Sequence, residues 1–145
     1  MKIFFDTSVL VPALVDSHPN HEKAFPWLSK VIKADVIGVI STHNLAELYS
    51  ILTTIPINRT VTTLEIYYLI NETIVSNFEK IELITSDYKH VLELLSKNNI
   101  RGGTIFDALI AHAAKKAKVE KLLTFNVRHF QRVYPAIAEI IEEPI

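Results

Sequence analysis

Cysteine is absent from the 145-residue chain, which excludes disulfides, thiolate zinc or iron–sulfur ligation and a cysteine nucleophile. Any metal site must then use oxygen or imidazole. Glycine is scarce, with 3 residues beside 6 prolines, so there is little material for flexible linkers. Gly38, Gly102 and Gly103 are too few and wrongly spaced for the G-x-x-x-x-G-K-[ST] phosphate loop. No run approaches the roughly 18 consecutive apolar residues of a membrane span. Asp6 and Pro12 interrupt the apolar start that an export signal needs. A soluble, cytoplasmic protein with no membrane partner is therefore expected. What the chain has in quantity is apolar side chain, 49% against 21% charged, a globular composition. The length suits one domain over residues 1–145.

Net charge is −1, which on its own gives no sign of a nucleic-acid partner, but the average hides an asymmetry. Residues 1–100 hold 8 Lys and Arg against 11 Asp and Glu, whereas residues 101–132 hold 7 basic residues against only Asp107 and Glu120. Arg101, Lys115, Lys116 and Arg128 in that segment are candidate phosphate contacts for RNA. The competing reading is a solvated helix face followed by a charged loop.

Short apolar runs predict strands at 3–5, 36–40, 82–84 and 122–125, with an edge strand at 138–141. Helical patterns fill 9–15, 21–33, 45–54, 62–77, 87–97 and 105–118, with Ser86 expected to cap the helix that opens at Asp87. Strands alternating with long helices indicate an α/β fold around a mainly parallel sheet. Ligands of such folds gather beyond the carboxyl ends of the strands. Asp6, the stretch Ser41-Thr42-His43-Asn44 leading to Glu47, and Asn126 fall in such places, while Asp107 lies in the first turn of the late helix.

At about 100° per residue, Phe106, Ile110, Ala113, Ala114 and Ala117 share the apolar face of that late helix. Asp107 falls on its rim, among small side chains that leave room for a ligand. A carboxylate favoured by a helix N-terminus explains Asp107 equally well. Glu47 has a bland explanation too, since Asn44 followed three residues later by Glu has the spacing of a capping box. Asp6 is harder to explain away, because it follows an apolar strand directly while Ser8 stands ready to cap the next helix. Gathered carboxylates repel one another unless a hard cation neutralises them. Separated acids that converge would thus take Mg²⁺ or Mn²⁺ and perform hydrolytic phosphodiester chemistry.

Four pieces carry a family resemblance across nearly the whole chain. They are Ile3-Phe4-Phe5-Asp6-Thr7-Ser8-Val9-Leu10, Leu45-Ala46-Glu47-Leu48, Phe106-Asp107-Ala108-Leu109-Ile110-Ala111-His112-Ala113, and Leu123-Thr124-Phe125-Asn126 through Phe130. In order and spacing the chain resembles a PIN domain of the type found in VapC toxins of prokaryotic toxin–antitoxin pairs. The resemblance implies a three-layer α/β/α sandwich with a mainly parallel sheet of four to five strands. It implies Asp6, Glu47 and Asp107 as metal-binding catalytic acids, and Ser8 and Thr124 as polar neighbours. It also implies a single-strand-specific endoribonuclease using Mg²⁺ or Mn²⁺, forming a homodimer, acting on RNA such as transfer or ribosomal RNA, and paired with an antitoxin protein. Many relatives place Asp where this chain has Asn126. An amide oxygen still ligates a cation but adds no charge, which weakens a second metal position.

Rival readings fail on single residues. An aspartyl-phosphate phosphatase needs a second Asp where Ser8 stands, a receiver domain needs an acid where Phe5 stands, and the six His include no H-E-x-x-H. The alternative from another class is a PIN-fold module that binds RNA or protein without cutting, Asn126 marking decay of the site.

Overall fold

A computed structural model describes residues 1–57 and 59–145. Five strands, β1 (Lys2–Phe5), β2 (Ile37–Ser41), β3 (Phe78–Ile81), β4 (Lys121–Leu123) and β5 (Ile141–Glu142), form one sheet in the order β3-β2-β1-β4-β5. Every pairing is parallel. Between them run α1 (Thr7–Leu14), α2 (His21–Ile32), α3 (Thr42–Leu52), α4 (Thr63–Leu69), α5 (Thr85–Lys97), α6 (Thr104–Lys116) and α7 (Val127–Val133).

The pleat divides the core. Successive side chains of a strand point to opposite faces, so Ile3 and Phe5 of β1, Ile40 of β2 and Leu123 of β4 join α1 to α4 in one cluster. Phe4, Val39 and Leu122 join Ile110, Ala113, Ala114 and Phe130 in the other. Both faces of the sheet are therefore covered by helices, the three-layer α/β/α sandwich expected of continuous apolar strands. Gly38 is the close-approach point of the sheet. A Cβ there would stand 2.6 Å from the Phe78 ring and 2.8 Å from Val31, and that ring meets Phe5 edge-on at 5.2 Å.

Several boundaries differ from expectation. The third strand is Phe78–Ile81 rather than 82–84, because Phe78 fills the hole above Gly38 and the Ile84 N–H is taken by the Asp87 carboxylate at 2.8 Å. That contact makes Ile84 the cap of α5 and puts Ser86 inside the helix. The helix expected at 62–77 narrows to α4 and continues as a π-helical segment, Ile70–Val75. Residues Pro135–Ile140 form a 3₁₀ turn, which shortens the expected edge strand to two residues. Helix α7 had no counterpart in the sequence reading, its spaced Val127, Phe130 and Val133 being masked by four basic and polar neighbours.

Candidate active site

β1 is the central strand, and the chain crosses from it to β2 on one side while β4 pairs on the other, so the sheet reverses direction of winding between β1 and β4. The crevice at such a switch point, beyond the carboxyl ends of the strands, is where an open α/β sheet binds ligands. Asp6 stands there. It ends β1 and begins α1, its carbonyl accepting the Val9 N–H at 2.9 Å, so Asp6 itself occupies the cap position expected of Ser8.

Ser8 turns back instead. Its hydroxyl donates to Asp6 Oδ2 at 2.6 Å and the Thr124 hydroxyl, just past β4, donates to the same oxygen at 2.9 Å. The two hydroxyls are held in turn by backbone donors, Ser8 Oγ accepting the Phe125 N–H at 3.1 Å and Thr124 Oγ1 the Asn126 N–H at 3.0 Å. Asp6 is buried, 4% exposed, yet no Lys, Arg or His among the described residues pairs with it. Burial pushes its carboxyl above the usual carboxylate range and Asp107 adds to this, while the Ser8 and Thr124 hydrogen bonds pull the other way.

Glu47 is aimed by a chain of neutral groups. Asn44, fully buried, accepts the Ser41 N–H at 2.8 Å and so must donate its amide N–H to Thr7 Oγ1, at 2.9 Å. That leaves the Thr7 proton for Glu47 Oε1, at 3.1 Å. The capping box of α3 is therefore Ser41 with Asn44, and Glu47, expected as its acid, is left for the crevice. Burial raises the Glu47 carboxyl, His43 and Thr7 lower it, and Asp6 and Asp107 raise it further. The three predicted acids thus share one electrostatic field.

Asp107, half-buried at the start of α6, has a partner the sequence reading missed. His129 Nε2 lies 2.8 Å from Asp107 Oδ2, and Arg132, a turn further along α7, lies 3.2 Å from His129 Nδ1. A guanidinium only donates, so Nδ1 accepts and the imidazole proton sits on Nε2, directed at the carboxylate. His43 was missed as well: its buried Nε2 has no hydrogen-bond partner and lies 3.6 Å from Glu47 Oε1. Only the register of α3 and α7 could have revealed these two among six dispersed histidines.

Asn126 is exposed at the start of α7, one residue beyond the Phe125 that follows Thr124. Arg128, also exposed, sits on α7, and Arg101 precedes α6 in the Gly102–Gly103 turn. The structure does not bring Lys115 or Lys116 to the acids. They close α6, about 12 Å along its axis from Asp107, and Lys116 bonds Asp87 Oδ2 at 2.8 Å and the Glu82 carbonyl at 3.1 Å.

The donor set is oxygen, with waters needed to complete any coordination sphere. Among the described residues no three acid or imidazole side chains close into a ready cage.

The PIN domain model matches residues 3–135, and the chain belongs to the PIN domain family. It is 30% identical over 115 residues to Ribonuclease VapC27 of Mycobacterium tuberculosis, covering 79% of this chain and 78% of that protein. It is also 29% identical over 123 residues to Ribonuclease VapC40 of the same species, covering 85% of each. Among solved structures it resembles Rickettsia felis VapBC2 bound to a promoter DNA fragment (TM-score 0.66, 20% identity, 99% of this chain and 98% of that one). It also resembles the sarcin–ricin-loop-cleaving toxin VapC20 of Mycobacterium tuberculosis (TM-score 0.64, 17% identity, 93% and 95%). These likenesses confirm the fold.

Proposed function

We propose that this protein is the toxin ribonuclease of a toxin–antitoxin pair, a metal-dependent endoribonuclease whose acids are Asp6, Glu47 and Asp107. The observation that carries the reading is Asp6, a buried carboxylate steadied by two hydroxyls and left without a cationic side chain. Burial and then Asp107 raise the proton affinity of Asp6, and burial and then Asp6 and Asp107 raise that of Glu47, a cost that a divalent cation removes. Ribonuclease naming of the relatives supplies the substrate class.

Bound Mg²⁺ or Mn²⁺ supplies Lewis acidity toward the phosphoryl oxygens and makes a nucleophile of water at neutral pH. Asp6, Asp107 and Glu47 would hold the cation, directly or through its waters, with Asn126 offering a neutral oxygen. Ser8 and Thr124 fix the Asp6 rotamer, Thr7 fixes Glu47 and His129 orients Asp107, so the carboxylates need little reorganisation when RNA arrives. Arg101, exposed before α6, and Arg128, exposed on α7, are the basic residues assigned to the phosphates. Lys115 and Lys116 keep only a peripheral part in this reading.

The partner side rests on two observations. The solved neighbours include the VapBC2 and FitAB complexes, each bound to DNA, which supports an antitoxin partner here. Helix α4 exposes Leu64, Tyr67 and Tyr68 while burying Ile66, so half of the apolar stretch expected to drive homodimerisation stays on the surface. Light scattering at tens of micromolar should give twice the chain mass, and a monomer mass rejects the dimer.

Cleavage of labelled RNA tests the catalytic reading: it should require Mg²⁺ or Mn²⁺ and stop in excess EDTA. Undiminished cleavage in chelator overturns the metal role. Normal cutting by both Asp6→Asn and Asp107→Asn overturns the residue assignment.

A further inference from the structure

Phe106 should be buried by its helical phase, which places it with Ile110 and Ala113, yet its side is open: it is 49% exposed while its neighbour Ala108 is fully buried. Ala108 packs with Val91, Leu109 and Val133, whereas Phe106, in the first turn of α6 and next to Asp107 in sequence, stays open to solvent. Its ring is held flat. His43 stacks on it with centroids 5.3 Å apart and planes only 7° from parallel. The His43 ring is in turn fixed next to Glu47, its Nε2 3.6 Å from that carboxylate. A large apolar ring is thus presented to solvent in one set orientation, backed by a second ring, between two acids of the crevice.

We infer that Phe106, braced by His43, is a stacking platform for an unpaired nucleobase of the RNA next to the scissile phosphate. The inference rests on the ribonuclease reading and adds how the strand is held. A cation on the acids and arginines on the phosphates hold the strand's backbone but not its bases, and Lys116, at the far end of the same helix, is committed to Asp87. Stacking on a preset aromatic ring is indifferent to charge and open to every base. A base inside a duplex is already stacked on both faces and cannot use the ring, so the platform selects single strands.

The test is binding of a short fluorescein-labelled single-stranded RNA, by anisotropy in Ca²⁺, beside a blunt duplex of the same sequence, with cleavage followed in Mg²⁺. Phe106→Leu keeps apolar bulk but no ring and should bind the single strand roughly 5- to 150-fold more weakly. Its duplex binding and unfolding midpoint should stay near those of the parent. Phe106→Tyr should restore the single-strand affinity to within about twofold. Parental single-strand affinity in Phe106→Leu, or an equal loss on duplex, overturns the platform while leaving the ribonuclease reading standing. A parent that neither binds nor cuts RNA overturns both.

Discussion

Replacing Asp6 by Asn should make the metal-free protein more stable and the enzyme much slower. Asp6 is 4% exposed and pairs with no cationic side chain among the described residues. Its folded pKa is raised by burial and by Asp107. The native state therefore holds the proton more tightly than the unfolded chain does. By linkage, its contribution to stability falls as pH rises from the ordinary carboxylate range through the folded pKa. At neutral pH the fold carries a buried, unpaired negative charge, a burden of several kcal/mol. An Asn in the same rotamer places its Oδ1 where Asp6 Oδ2 accepts Ser8 and Thr124. Both bonds survive in neutral form, losing about 1 kcal/mol each. The net gain should be about 1–2 kcal/mol, a rise of roughly 3–8 °C in midpoint for a domain of this size.

Thermal unfolding in EDTA at neutral pH measures the gain, and repeating it in acid, where Asp6 is protonated, should shrink it. Added Mg²⁺ should raise the parent's midpoint, by mass action on the folded state, and the variant's much less. RNA cleavage should drop about 100-fold or more, because several kcal/mol of transition-state charge stabilisation depends on a correctly held cation. A midpoint that falls on substitution refutes the claim that Asp6 is an uncompensated charge.

His129→Ala should weaken Mn²⁺ binding roughly 10- to 100-fold by electron paramagnetic resonance, while His129→Gln, which keeps a donor near the Nε2 position, should recover most of it; equal losses in both would show that orientation of Asp107 is not the role. Asn126→Asp should lower the Mg²⁺ needed for half-maximal cleavage by a modest factor, since an exposed carboxylate near a hydrated cation is screened. A higher requirement refutes the ligand role, and RNA bound but uncut at every metal concentration favours the binding-module alternative. His112→Ala should cost about 2–3 kcal/mol in denaturant unfolding, because it strips partners from the Tyr134 hydroxyl at 2.9 Å and Asp87 Oδ1 at 2.9 Å. Unchanged stability would mean those bonds are made only in part.

The layered fold was legible because β1 and β2 are buried on both faces and read as unbroken apolar runs, which needs no tertiary knowledge. The acids were legible for a similar reason: position after a strand or at a helix start is local. What failed was set by distant contacts. Phe78 was not read as a strand residue because its partner is the space above Gly38, forty residues away. Ser8 and Asn44 were read as caps for the wrong groups, since Ser8 is held by the Phe125 N–H beyond β4 and Asn44 by Thr7 beyond β1. Phe106 was assigned to the core by periodicity alone, but in the first turn of α6 it is 49% exposed although Ile110 and Ala113 on the same face are buried.

Charge partners separate the acids of the crevice from an acid that merely holds the fold together. Asp87 is clamped by Lys116, His112 and the Ile84 N–H, and these partners, Lys116 foremost, hold its carboxyl well below the usual carboxylate range. It is fully compensated, has no capacity left for a cation, and should lend stability above the ordinary carboxylate range that is lost in acid. Asp6 receives the opposite treatment from the same chain: hydroxyl donors that orient it without neutralising it, and neighbouring acids that raise its proton affinity. A Lys in place of Thr124 would satisfy Asp6 and fill the place that the proposed cation takes. Hydroxyls at Ser8 and Thr124 fix the carboxylate's direction and leave its charge available, which is what a site built to receive a cation together with a phosphate requires.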